Sequence, residues 1–250
     1  MKILALHFLV FACILLSGCA TTYSRASSSY ECEYNASRET LTVSGDTDEK
    51  MLGCFETYFS QAISNIIISS NGGRVDTAIK IAQLVATNDI SLTINRACNS
   101  SCANYIMPVS KRIIVRPGAQ ILLHGSIDQG FAATHGKWAQ EQADLQRDFA
   151  NNFDIPSGWL LLRTPKQYEL KQPSPFISGT YENWGNDKAT AKFFLVEENF
   201  FKSCFPKKDI YFHPKTLSNN SRKGEDLKKK YAKKGIYPTG NMLCINQNNG

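Results

Sequence analysis

Three short stretches of this sequence carry residue types that could act together on a carbonyl group. The first is Ser69-Ser70-Asn71-Gly72-Gly73, where two glycines directly follow the β-branched run Ile66-Ile67-Ile68 and precede a helical pattern. Glycines there let the backbone adopt positive φ and expose amide hydrogens able to hold an oxyanion. The second is Ala97-Cys98-Asn99-Ser100-Ser101-Cys102, between a strand and a short apolar helix. A serine at a helix start gains from the free amides and the positive end of the helix dipole, for its own activation and for a tetrahedral intermediate. The third is Gln120-Ile121-Leu122-Leu123-His124-Gly125, a histidine at the end of an apolar strand. A base there is presented at the carboxyl edge of the sheet, where sites in open α/β sheets gather. Each stretch taken alone also fits a plainer role: a tight turn, a helix cap, a structural histidine.

The elements that must position these residues alternate between two periods. Leu41 to Val43, Ile66 to Ile68, Ser91 to Asn95, Arg112 to Val115 and Gln120 to Leu123 read as short strands. Met51 to Ile63 reads as a helix, and Val75, Ala78, Ile79, Ala82 and Val85 recur at helical spacing. Ser100 to Met107 reads as a short apolar helix. Gly130 to Asn152 is helical in character, with Phe131, Trp138, Leu145 and Phe149 on the expected buried stripe. Strands alternating with helices predict βαβ units and a mostly parallel sheet, an α/β fold. Beyond Thr164 the periodicity dissolves, and Pro165, Pro173 and Pro175 interrupt the chain. Arg222 to Lys234 is a basic tail with seven cations against Glu225 and Asp226. It reads as a solvated helix face, with contact to anionic lipid or glycan as the alternative.

The N-terminus bears on compartment. Lys2 is followed by a nearly unbroken apolar run from Ile3 to Leu16, which is too short for a comfortable membrane span. Leu16-Ser17-Gly18-Cys19 resembles the bacterial lipobox. That resemblance implies cleavage before Cys19 and acylation of its thiol, so that the lipid bilayer becomes a partner. Ala20, rather than Asp, after the cysteine implies a destination in the cell envelope at the outer membrane, facing the periplasm. An ordinary cleaved signal with an incidental cysteine is the other reading.

Six further cysteines, Cys32, Cys54, Cys98, Cys102, Cys204 and Cys244, then lie in an oxidising compartment. Six cysteines permit about fifteen pairings. They cluster as an early, a close and a late pair, so the expected bridges are Cys32–Cys54, Cys98–Cys102 and Cys204–Cys244. Zinc is the competing reading, but CxxxC lacks a second ligand pair at a usual distance, and only His124, His135 and His213 remain in the mature chain. No cofactor is expected: there is no GxGxxG loop, no Walker sequence and no coherent metal-ligand set. The net charge of +6 is modest and concentrated near the C-terminus, and no nucleic-acid partner is expected.

The order strand–GG–helix, then strand and serine at a helix start, then strand and histidine resembles the catalytic core of the Clp protease proteolytic subunit within the crotonase superfamily. It is closer still to envelope proteins related to it, with a Cys-x-Ser-x-Cys box and a basic pair downstream. Here these are Cys98-Asn99-Ser100-Ser101-Cys102 and Lys111-Arg112. The resemblance covers roughly Leu41 to Gly125. It implies Ser100 as nucleophile, His124 as general base, and the backbone amides of Gly73 and Ser101 as oxyanion hole. It also implies that a Cys98–Cys102 bridge would brace the nucleophile turn, and that the chain self-associates as a homo-oligomer. Ser101 stands where a small apolar residue is usual, so the choice between two serines is open. The acidic partner of His124 is open as well, between Asp154 and Glu169. Related signal-peptide peptidases use a lysine base, and Lys111 is the only lysine near the box, read here as a surface residue.

The expected organisation is a signal peptide (1–18), a tether (19–37), a ClpP/crotonase-like domain (38–165) and an irregular, disulfide-braced C-terminal extension (166–250). The expected function is an envelope-anchored serine hydrolase acting on peptides or another acyl substrate. The alternative is a non-catalytic module of the same fold that serves as a binding or scaffolding lipoprotein.

Overall fold

A computed structural model describes residues 29–127, 129–162, 177–178, 193–214, 216, 236–240 and 242–244. Residues 1–18, expected to be a signal peptide, and Cys19, Glu169 and the basic tail lie outside the described residues. Strands β1 (Glu31–Asn35), β2 (Thr40–Ser44), β3 (Asn65–Ser70), β4 (Ser91–Asn99), β5 (Arg112–Val115) and β6 (Gln120–Leu123) alternate with helices α1 (Glu49–Tyr58) and α2 (Val75–Ala86). After β4 comes a π-helical segment, Cys102–Ile106, that runs into the one-turn helix α3 (Met107–Val109). Helices α4 (Gln129–Thr134), α5 (Gly136–Asn152) and α6 (Ser157–Leu160) follow. The remaining described elements are β7 (Ile177–Ser178), β8 (Phe193–Leu195), α7 (Glu198–Cys204), β9 (Asp209–Phe212), β10 (Ile236–Pro238) and β11 (Leu243–Cys244).

The fold is α/β with a mostly parallel nine-stranded sheet among the described residues. The antiparallel pairs in that sheet are β1 with β2 and β6 with β8. β4 bends: Ser91 to Ile94 pair with β5, whereas Ala97 to Asn99 pair with β6. Its register against β3 also shifts between Ile68 and Ser70, the irregularity a strand needs to serve two neighbours. Consequently the carboxyl ends of β3, β4 and β6 lie side by side, and these are the ends that carry the glycine pair, Ser100 and His124.

The alternation of the strands explains their burial. Ile66 and Ile68 are fully buried on one face of β3, as are Leu41 and Val43 on β2. Helix α2 buries Ala78, Ile79, Ala82 and Val85 against them, and α1 buries Met51, Leu52 and Phe55. Asp48 starts α1 by accepting from the amides of Lys50 and Met51.

Four expectations need correction. Residues 31–35, read as tether, form β1, which Cys32–Cys54 ties to α1. The helix expected from Met51 to Ile63 ends at Tyr58, because the chain must turn to enter β3. The helical stretch from Gly130 breaks at His135-Gly136, where Gly136 takes φ +81°. Trp138 is not on the buried stripe: Ala139, Ala143, Gln146 and Phe149 form it, and one position of rotation leaves Trp138 63% exposed. The disulfide-braced C-terminal segment, in its described residues, also joins the main sheet. β9 pairs with β5, β8 with β6, and Phe200 and Phe201 are buried in the same core as Trp159. Cys204–Cys244 closes that region.

Candidate active site

Ser100 is the residue at which β4 gives way to the π-helical segment, and it holds φ +54°. A non-glycine residue in that region is strained, and a serine held so at a strand-to-helix turn points its hydroxyl out of the sheet edge. Two features keep it there. The bridge Cys98–Cys102 joins the residues flanking the turn. Ser100 N donates to Leu122 O at 2.8 Å, anchoring the turn to β6.

Across the edge, Ser100 Oγ lies 2.5 Å from His124 Nε2. Burial pushes the His124 imidazole below its ordinary value of 6.5, an effect partly offset by hydrogen bonding to the backbone at His124 and Gly125. The ring stays neutral, and able to accept a proton, over a wider pH range than a free histidine. Phe193 packs edge-on against it at 5.4 Å. Among the described residues no carboxylate bonds to His124. Asp154 is exposed at the end of α5 and makes no such contact, and Glu169 lies outside the described residues. Lys111 is paired with Asp89 at 2.7 Å and Arg112 with Asp209 at 3.1 Å, both on the surface.

The two serines are separated by their partners. Ser101 is 2% exposed, and its Oγ lies 2.6 Å from Thr47 Oγ1. Ser100 therefore faces the histidine, and the Ser101 side chain is committed elsewhere.

The glycine pair fits against this turn so closely that side chains are excluded. A Cβ on Gly72, whose φ is +89°, would lie 2.6 Å from Asn99 O and from Ser100 Cβ. The next residue forms a parallel bridge with Thr47, in which Thr47 N donates to Gly72 O and Arg74 N donates to Thr47 O, both at 2.9 Å. The Gly73 N–H takes no part in that bridge. The Ser101 amide, at the cap of the π-helical segment, has no intrahelical acceptor to meet. Asn99 Nδ2 donates to Asn71 Oδ1 at 3.2 Å, a further tie between the turn and the glycine loop.

A cavity of about 440 Å³ opens beside Ser100 and His124, with Val75, Tyr105, Ile127 and Gln146 among its walls. Its floor is a neutral hydrogen-bond chain: Asn104 Nδ2 donates to Ser126 Oγ at 3.0 Å, Tyr105 and Ser126 hydroxyls meet at 3.1 Å, and Tyr105 donates to Gln146 Oε1 at 2.6 Å. Burial raises the Tyr105 phenol well above its ordinary value. Trp159 donates to Ala103 O at 3.1 Å, locking the segment after Ser100 to the aromatic cluster of α7. Thr47, Tyr105, Ser126 and Gln146 carry no signal in the sequence, since nothing local distinguishes them from ordinary loop or helix residues.

No protein-family model matches the chain, and no curated protein matches it. Solved structures do. ClpP1 from Listeria monocytogenes aligns over 48% of this chain and 81% of its own, at 13% identity and a TM-score of 0.36. A membrane protease specific for a stomatin homolog, from Pyrococcus horikoshii, aligns over 44% of this chain and 61% of its own, at 22% identity and TM-score 0.30. An enoyl-CoA hydratase from Shewanella pealeana aligns over 50% and 59%, at 9% identity and TM-score 0.30. The chain thus spans less than two thirds of the latter two.

Proposed function

We propose that this protein is a serine hydrolase of the ClpP and crotonase type, held at the bacterial envelope by lipid on Cys19 and acting on peptides or another acyl substrate. The observation that carries the reading is the 2.5 Å contact between Ser100 Oγ, on a turn at φ +54°, and the buried His124 Nε2. In this reading His124 takes the Ser100 proton as Oγ attacks the acyl carbon, and the amides of Gly73 and Ser101 receive the developing oxyanion. The tetrahedral species collapses as His124 returns the proton to the leaving group. Water, deprotonated by the same histidine, then hydrolyses the acyl-enzyme and releases Ser100. Self-association is part of the proposal, without a fixed number of subunits.

One observation favours the second reading, a non-catalytic binding module: no carboxylate among the described residues orients His124. Labelling of the purified chain with a fluorophosphonate probe decides between them. The hydrolase reading expects phosphonylation that maps to Ser100 and vanishes in both Ser100→Ala and His124→Ala. A folded protein that takes up no probe supports the binding module.

A further inference from the structure

Thr47 is fully buried, lies outside the three stretches that carry the chemistry, and touches both halves of the proposed oxyanion hole. Its backbone holds the glycine loop on either side of Gly73, through the bonds to Gly72 O and from Arg74 N. The contact is tight: a Cβ on Gly73 would lie 2.8 Å from Thr47 O and 2.9 Å from Thr47 N and Oγ1. Its hydroxyl reaches 2.6 Å to Ser101 Oγ, across 54 residues of sequence. Thr47 is itself rigid, because Asp48 next to it caps α1, and α1 is bridged to β1 by Cys32–Cys54.

From this geometry we infer that Thr47 is a positioning residue that sets the spacing between the Gly73 and Ser101 amides, an inference that rests on the serine-hydrolase reading. Oxyanion donors act because they are held in place before charge develops. One residue clamping both donor segments does that holding. The Ser101 hydroxyl is then a strut: it is turned away from His124, it is buried, and its bond to Thr47 is what it contributes. Removing the Thr47 hydroxyl leaves Ser101 Oγ buried without that partner and lets the two amides drift apart, while the Ser100–His124 pair is untouched.

The test is the rate of fluorophosphonate labelling at Ser100 in the full chain, at a temperature where each variant is folded by circular dichroism. Thr47→Val, which keeps the shape and loses the hydroxyl, is expected to label at least about tenfold more slowly, consistent with a partial loss of an oxyanion donor. Thr47→Ser is expected to stay within about threefold of wild type, because it keeps the strut. Ser101→Ala should slow labelling like Thr47→Val, and the double variant should be no slower than the slower single one, since both remove one bond. The pH midpoint of labelling, which reports His124, should not move in any of them. Wild-type rates in Thr47→Val and Ser101→Ala overturn the inference alone. So does a Thr47→Ser variant as slow as Thr47→Val, which would assign the effect to packing of the methyl group. A wild-type protein that does not label at all overturns the hydrolase reading and the inference with it. If Thr47→Val does not fold, Ser101→Ala against wild type decides the matter by the same criterion.

Discussion

Cys98–Cys102 and Cys32–Cys54 offer a comparison in which stability and activity should part company. The first bridge spans 4 residues of sequence and the second 22. Loop-closure entropy makes the loss of the short one cost about 2 kcal/mol and of the long one about 3 kcal/mol. Stability alone therefore predicts that Cys32→Ala/Cys54→Ala is the more damaging pair. Their positions predict the opposite for chemistry. Cys98 and Cys102 flank Ser100, whose φ of +54° carries a strain of about 1–2 kcal/mol. Without the bridge the turn can relax out of that conformation. If the strain is released in full, the competent population falls by a factor of about 5–30. The assay pairs urea unfolding with fluorophosphonate labelling rates in the absence of urea. Cys98→Ala/Cys102→Ala should lose the smaller amount of stability and about 5–30-fold in labelling rate. Cys32→Ala/Cys54→Ala should lose more stability and label Ser100 within about twofold of wild type. Labelling losses that simply track stability across the two pairs, or a Cys98→Ala/Cys102→Ala variant that labels normally, would refute the bracing role.

Three further outcomes are expected. Because burial lowers the His124 pKa, and a general base at that position, as proposed, acts in its neutral form, the labelling rate should climb to its plateau through a midpoint below 6.5. The same depression makes the unfolded chain bind the proton first as pH falls below 6.5, so His124 contributes stability above that pH and loses it progressively in acid. A labelling midpoint above 6.5 in the folded protein would contradict the desolvated environment. Cys19→Ala, expressed in a bacterium fed a radiolabelled fatty acid, should lose the lipid label carried by the wild-type chain and leave the membrane fraction. Retained label would locate the acylation elsewhere or remove the anchor from the proposal.

Much of the local structure was legible in the sequence because it rests on period and on turn chemistry. The runs Ile66 to Ile68 and Gln120 to Leu123 mark strands, and the spacing of Val75, Ala78, Ile79, Ala82 and Val85 marks α2. The clustering of the cysteines into an early, a close and a late pair points to the pairs that bridge. Trp138 shows the limit: a helical pattern specifies a face only to within a residue or so, and the hairpin break at Gly136 rotates it to solvent. Strands β8, β9 and β10 are three or four residues long, too short for a pattern, and they gain their identity from the strands that receive them: β8 from β6, β9 from β5 and β10 from β8.

The candidate site divides the same way. Residue type and order single out the glycine pair, the two serines and His124, because each needs a particular backbone or side chain at a strand end. Which serine faces the histidine, and what holds the two amides, depends on Thr47 and on the bend of β4 that brings three strand ends together. Those are relations between segments far apart in the chain. They arise when burial of the core sets the register of the sheet, so only the tertiary structure decides them.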